Sequence, residues 1–157
     1  ANIFLVRSRL YGLAAAQHAM SGSAEHHERL LFDGQQMLVA AQKDDQALFG
    51  EANSDFHNLL TSTCGNPMLE NAISGLGAIA VAYLQARVRT VPGRLHDSAL
   101  GHIAAAEAIK AREPARAEPL MSSVITGAGR TVLLAEAPER TDLIAMLEHT
   151  LESIPQP

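Results

Sequence analysis

The chain has 157 residues, of which 47% are hydrophobic and 18% are charged, so it is long and apolar enough to fold as one domain with a substantial core. Its formal net charge of −5 argues against a nucleic-acid-binding surface, and no uninterrupted apolar run reaches the length of a membrane span. A single cysteine, Cys64, and the lack of a signal segment predict a cytoplasmic protein without an internal disulfide. Because the sequence starts directly in an apolar segment, we expect a domain from a longer protein.

Helical spacing of apolar residues predicts four helices in the first half of the chain. The first covers about residues 2–20, and the second begins after Ser23, whose hydroxyl suits an N-cap. The third covers about residues 45–64 and ends at Gly65-Asn66-Pro67, where glycine suits a left-handed conformation. The fourth runs from Pro67 to about residue 89. Its many Ala and Gly residues predict a central position with close approach of a neighbouring helix.

The second half of the chain is predicted to hold two or three more helices. The fifth runs from about residue 95 to a boundary at Glu113-Pro114, and the sixth begins at Pro114. We expect Pro119 to weaken its first two turns and Gly127 and Gly129 to divide it. A short helix over residues 141–153 and a frayed tail follow. The fold class is therefore an all-α bundle of six or seven helices, with a main domain over residues 1–137 and a C-terminal extension over residues 138–157.

Three histidine-containing segments hold the candidate binding residues. Asn53 and His57 are four residues apart, so one helical turn places both side chains on a common face, where each offers a lone pair to one cation. His102 begins the apolar face of the fifth helix and should point into the bundle. Two interpretations stay open for these histidines: metal or ligand contacts, or core histidines that bond backbone carbonyls. His26 and His27 are interpreted as a solvated helix start.

Arginines supply the candidate anion-binding groups. Arg7 lies in the apolar face of the first helix, and burying its charge without an anion would be costly. Its partner is either a ligand carboxylate or a protein acid such as Glu51 or Asp55. Arg89, beside the turn that follows the fourth helix, is a second candidate for the anionic group of a ligand.

Motifs of catalysis are missing from the sequence. It contains no P-loop, no HExxH zinc motif and no GxSxG nucleophile elbow. The string GLGAIA at residues 75–80 has the GxGxxA pattern of a dinucleotide site, but a helical segment precedes it instead of a strand. We therefore interpret this string as helix packing and predict no catalytic residues.

Three blocks of sequence carry a resemblance to a known family. The first is VRSRL at residues 6–10. The most specific is NSDFHNLL at residues 53–60 with GNPML at residues 65–69, similar to the patterns D-x-x-F-H-x-x-L and G-N-P-x-L. The third runs from His102 through Ala108-Ile109 to Glu113-Pro114 and Met121. Together they resemble the C-terminal effector-binding (FCD) domain of GntR-superfamily transcriptional regulators of the FadR subfamily.

That resemblance implies that the helices form an antiparallel bundle with a central ligand cavity, and that a winged-helix DNA-binding domain lies upstream, outside this chain. It further implies a small organic acid or related metabolite as effector, a homodimer, DNA contact only through the missing domain, and no membrane partner. The ligand-binding positions would be Arg7, Asn53, His57, Arg89 and His102.

The family likeness also raises the question of a divalent metal such as Zn or Ni. Members with a metal hold it through an Asp, a His four residues later and two further histidines. Here His57 and His102 match two histidines, whereas Asn53 replaces the Asp and Val124 stands where the last histidine is expected. A site built from Asn53, His57 and His102 should therefore bind metal weakly.

Two other functions remain open from the sequence. One is a metal-dependent enzyme in which Asn53, His57 and His102 leave a coordination position for water. The other is a structural interaction module, which would have a solid apolar core without a cavity.

Overall fold

A computed structural model describes the backbone of residues 1–87 and 93–152 and the side chains of residues 1–77 and 93–149. Over these residues the chain is all-α, as predicted, and shows no strand. The helices are α1 (Asn2–Ser21), α2 (Ala24–Gln42), α3 (Gln46–Ser62), α4 (Pro67–Arg87), α5 (Arg94–Lys110), α6 (Pro114–Glu136) and α7 (Thr141–Glu152). The predicted end of the fourth helix near residue 89 and the predicted frayed tail lie outside the described residues.

Local signals set the starts of α2, α3 and α4. The hydroxyl of Ser23 accepts a hydrogen bond from the backbone N–H of His26, so this serine caps α2 as predicted. The carboxylate of Asp45 caps α3 in the same way through the N–H of Leu48. Gly65 has φ of 77°, a left-handed conformation that only glycine adopts without strain, and α4 starts two residues later at a proline.

The sixth helix is continuous, which corrects the expected division. Both Gly127 and Gly129 lie inside α6, and Pro119 lies in its second turn. Tertiary packing explains the difference, because α6 lies antiparallel against α1 and uses its small residues for close contact. A Cβ added at Gly129 would lie 2.7 Å from the Cβ of Phe4, and one added at Gly12 would lie 2.9 Å from the carbonyl oxygen of Glu118. These glycines bring the two helices together.

Among the described residues, α1 lies in the interior of the bundle; the central position predicted for α4 falls partly outside them, because the side chains of residues 78–87 are not described. The first helix packs against α3, α4, α5 and α6, and its residues Ala14, Ala15 and Ala19 are fully buried. By contrast, Gly75 in α4 is exposed, and no described atom comes within 4 Å of a Cβ built there. The GxGxxA string therefore lies within a helix, away from any strand-to-helix turn.

A buried histidine cluster joins the ends of α1, α2 and α3, so the expectation that His27 is solvated was wrong. His27 is 3% exposed, and its Nε2 donates to the backbone carbonyl of His18 at 3.1 Å. The ring of His18 is fully buried, and its Nε2 lies 2.8 Å from the hydroxyl oxygen of Thr63. His27 sits in the first turn of α2 but faces inward, because α1 ends against that turn.

The remaining core is apolar and includes the single cysteine. Cys64 is 2% exposed and packs in the main core cluster, which fits its predicted role as a small buried side chain. Leu147 of α7 belongs to the same cluster. None of the helices within the described residues has the length and apolar character needed to cross a bilayer.

Candidate functional site

A cavity of about 590 Å³ opens between α1, α3, α4, α5 and α6. Its volume falls within the usual range for small-molecule pockets, roughly 300–1,000 Å³. Apolar walls come from residues such as Tyr11, Phe49 and Ile73, while polar groups of α1, α3 and α5 converge on the interior.

Most of the predicted binding residues line this one cavity. Arg7, Asn53, His57 and His102 all contribute to its wall, although they come from three helices. Val124, which stands where the resemblance led us to expect a histidine, lines it too. The remaining candidate, Arg89, lies outside the described residues.

The two imidazoles contact each other directly. Nε2 of His57 lies 3.1 Å from Nε2 of His102, and Nδ1 of His102 lies 2.7 Å from the carbonyl oxygen of Ser98. Because a carbonyl only accepts, Nδ1 of His102 carries a proton, and its neutral ring keeps a lone pair on Nε2. His57 therefore donates from Nε2, which leaves its Nδ1 as a buried acceptor without a hydrogen-bond partner among the described residues.

Both rings are neutral at physiological pH because burial disfavours the imidazolium form. Burial lowers the pKa of His102 to about 4, with the charge of Arg94 adding to the effect. The pKa of His57 is likewise held well below its ordinary value, first by burial and then by His102 and the charge of Arg7. Edge contacts of Tyr11 with His57 and of Phe56 with His102, at centroid distances of 4.8 and 4.9 Å, hold the two rings in place.

Arg7 brings to the cavity a positive charge that no described acid pairs with. The side chain is buried, at 5% exposure, and its Nε and Nη1 atoms have no hydrogen-bond partner among the described residues. Its remaining nitrogen, Nη2, lies 3.5 Å from the hydroxyl of Tyr11. The protein acids that the sequence suggested do not neutralise it: Asp55 pairs with Arg29 at 3.3 Å, and Glu51 is an exposed residue of the cavity wall.

Sequence reasoning missed one charged residue of the wall. Arg94 is the first residue of α5; it lines the cavity, and its buried Nε has no partner in the described part of the chain. Burial lowers its pKa from the ordinary value, and Asp97 partly opposes this effect. The sequence did show Arg94 beside the turn before the fifth helix. However, helical periodicity alone does not tell which of several arginines near a turn faces the interior.

These residues do not make a tight metal site. Two imidazole nitrogens bound to one tetrahedral zinc ion would lie roughly 3.3 Å apart, so the His57–His102 distance by itself would suit two ligands. The other two positions lack donors of the required kind, because Asn53 offers a neutral amide and Val124 offers nothing. Over the described residues, no group of three His, Cys, Asp or Glu side chains could hold a metal ion.

Comparison with known proteins agrees with this architecture. The chain finds no match among curated proteins. A family model, however, that of the FCD domain, matches residues 2–127, which covers α1 to α5 and the first part of α6. All the cavity-lining residues named above fall within the matched range. The chain therefore belongs to the FCD domain family, the C-terminal effector-binding domains of GntR-type transcriptional regulators.

Proposed function

We propose that this chain is the ligand-sensing and dimerisation domain of a GntR-type regulator, and that its effector is a small carboxylic acid. The observation that carries the proposal is Arg7: a buried guanidinium in the wall of a cavity, with two nitrogens that have no partner among the described residues. Leaving a buried cation unpaired is unfavourable, whereas a carboxylate would satisfy it through charge-assisted hydrogen bonds.

Binding would act through the helices that the ligand joins. Arg7 belongs to α1, His57 to α3 and His102 to α5, so a ligand that contacts all three ties the central helix to two others. An effector changes the state of a regulator only if it binds one arrangement more tightly than another. In our proposal the bound acid favours one arrangement of the helices. This arrangement changes how an upstream winged-helix domain binds DNA in the cytoplasm.

We propose no enzymatic activity for the domain. In the His57–His102 pair, one ring nitrogen bonds the Ser98 carbonyl and two bond each other, so the pair is arranged as a fixed wall. The donor set also does not suit a catalytic metal, because the third ligand beside the two imidazoles would be the neutral amide of Asn53. No observation on the described residues favours the enzyme alternative.

Calorimetric titration of the chain after dialysis against a chelator tests the proposal. A panel of small organic acids is compared with the methyl esters of the same acids. At least one acid should bind saturably, and its ester should bind at least about tenfold more weakly because it lacks the charge that pairs with Arg7.

Variants assign that binding to the cavity. Arg7→Gln should lower the affinity for the acid by about tenfold or more. Arg9→Gln, two residues away at an exposed position of α1, is the control and should leave the affinity unchanged. Esters that bind as well as acids, or a broad panel without a single saturable ligand, would contradict the proposed function.

Homodimer formation is the other part of the proposal. Three apolar side chains of α1 spaced by seven residues, Val6, Leu13 and Met20, are 41–62% exposed and lie along one side of the helix. Such a row favours burial against a second copy. Sedimentation velocity should show a dimer at micromolar concentration, and Leu13→Glu should shift the population to monomer; a wild-type chain that stays monomeric would contradict this part.

A further inference from the structure

We propose that the effector carries two carboxylates, one bound by Arg7 and the other by Arg94, across the His57–His102 pair. This inference rests on the proposed function, because it names the chemical class of acid that the same cavity takes. It goes further in assigning Arg94 a role in binding and in requiring an anion at each end of the ligand.

The polar wall of the cavity has a definite order. The two imidazoles of the wall contact each other, with ring centroids 5.1 Å apart. Arg7 lies 3.5 Å from the hydroxyl of Tyr11, and the ring of Tyr11 packs against His57. Arg94 lies two helical turns before His102 on α5, and Ser98, whose carbonyl bonds His102, lies between them on the same side of the helix. The described residues therefore present cation, imidazole, imidazole and cation in sequence around one hollow.

Neither cation has a counter-charge in an ion pair with it among the described residues. Neither Arg7 nor Arg94 forms a salt bridge with a described acid, and each has a buried nitrogen without a described partner. The segment 78–92 contains no Asp or Glu, so its side chains supply no carboxylate. Among the described lining residues Glu51 is the one acid, and it is exposed.

The position of Arg94 in the helix makes an unpaired positive charge there unfavourable. It occupies the first position of α5, where the helix dipole is positive and a cation is unfavourable. Asp97, in the same first turn, attracts it but makes no ion pair with it within the described residues. A ligand carboxylate at this point would gain both from the guanidinium and from the helix terminus.

One carboxylate would satisfy one end of this arrangement and leave the other cation unpaired. A dicarboxylate satisfies both, and the acceptor lone pair on Nδ1 of His57 remains for a water or a ligand hydroxyl. The cavity volume of about 590 Å³ leaves ample space for such a molecule with associated water.

The test is a set of matched acids titrated into the chelator-treated chain. Succinate, glutarate and adipate are each compared with the monocarboxylate of the same length, namely butyrate, valerate and hexanoate. At least one dicarboxylate should bind about tenfold or more tightly than its monocarboxylate, because it makes a second charge-assisted contact. Equal affinities within every pair would overturn the inference.

Variants of the two arginines identify the second contact. In Arg94→Gln, the affinity for the preferred dicarboxylate should fall to that of the matched monocarboxylate. Arg94→Lys keeps the charge but loses the planar guanidinium, so its affinity for the dicarboxylate should lie between those of the wild type and of Arg94→Gln. Arg9→Gln, on the exposed side of α1, is the control. Circular dichroism establishes that each variant is folded, and a dicarboxylate preference that survives Arg94→Gln would refute the assignment.

The outcomes separate this inference from the function on which it rests. If monocarboxylates and dicarboxylates bind with equal strength, the acid-sensing function stands and only the inference of a second bound carboxylate fails. If no acid in either this set or the broader panel binds, both proposals fail. If a variant does not fold, the wild-type comparison within the matched pairs still decides the question.

Discussion

Arg7 suits the proposed binding of an acid but lowers the stability of the ligand-free chain. Its side chain lies among apolar neighbours at 5% exposure, and its charge has no described acid beside it. A ring contact with Tyr11, at 5.2 Å from the guanidinium carbon to the ring centroid, compensates only part of the lost hydration. In a protein selected for stability alone, an apolar residue would suit this position better.

Replacing Arg7 with methionine should therefore stabilise the ligand-free chain while it removes acid binding. We expect the free energy of unfolding to rise by about 1 kcal/mol, since the buried charge disappears and the side-chain volume is largely kept. Urea denaturation measures the change. Arg9→Met, at an exposed site of the same helix, should change the stability by less than about 0.5 kcal/mol. A clear loss of stability in Arg7→Met would show that the arginine is already paired.

At the scale of the helices, the contact between α1 and α6 organises the bundle. Gly12 and Gly129 lie where the two helices come closest, and each is opposed by atoms of the partner helix. Intrinsic propensity alone disfavours glycine within a helix by about 1 kcal/mol relative to alanine. Here the close approach outweighs that preference, which is why the glycines of α6 neither end nor divide it.

Two glycines of α6 test this explanation because they share a helix but differ in surroundings. Gly129→Ala would push against the Cβ and ring of Phe4, so the unfolding free energy should fall by about 1–3 kcal/mol. Gly127→Ala has no described atom within 4 Å of the new methyl group and should raise it by roughly 0.5–1 kcal/mol. Thermal or urea unfolding measures both, and changes of the same sign would contradict the packing argument.

Over the whole molecule, buried neutral histidines should make stability depend on pH. Burial lowers the pKa of both His18 and His102 from 6.5 to about 4, with neighbouring charges contributing: His27 and His26 act on His18, and Arg94 acts on His102. The hydroxyl hydrogen of Thr63 is donated to a backbone carbonyl, so its oxygen accepts from Nε2 of His18. Protonating Nδ1 of His18 would then create a buried donor without a partner among the described residues.

Because these histidine pKa values are lower in the folded chain than in the unfolded chain, acid destabilises the fold. The unfolded chain binds protons near pH 6.5, whereas the folded chain binds them only near pH 4, so stability is complete above about pH 6.5 and falls as the pH drops toward 4. Between roughly pH 7.5 and pH 5 we expect a loss of about 2 kcal/mol for each of the two histidines.

Urea titrations at several pH values measure this dependence. In His18→Gln, the unfolding free energy should change less steeply with pH. His149→Gln, at an exposed position of α7, is the control for replacing a surface histidine. Constant stability across this range, or a rise toward acid, would contradict the assignment of buried neutral rings.

Much of this fold is determined by the sequence over short distances. Apolar spacing predicts the all-α class, while Ser23, Gly65 and the prolines at 67 and 114 mark helix boundaries close to those observed. These signals act within one or two turns, because capping and backbone conformation depend on neighbours along the chain. The motif around His57 also resembles that of a family, a likeness that depends on no tertiary contact.

The tertiary structure alone decided which side chains meet. His57 and His102 are 45 residues apart, and their contact depends on how α3 and α5 pack around α1. The inward position of Arg94 and the burial of His27 are long-range results of the same kind, and so is the lack of a described acid beside Arg7. Periodicity shows that a residue faces the interior, but only the arrangement of all the helices determines what it faces there.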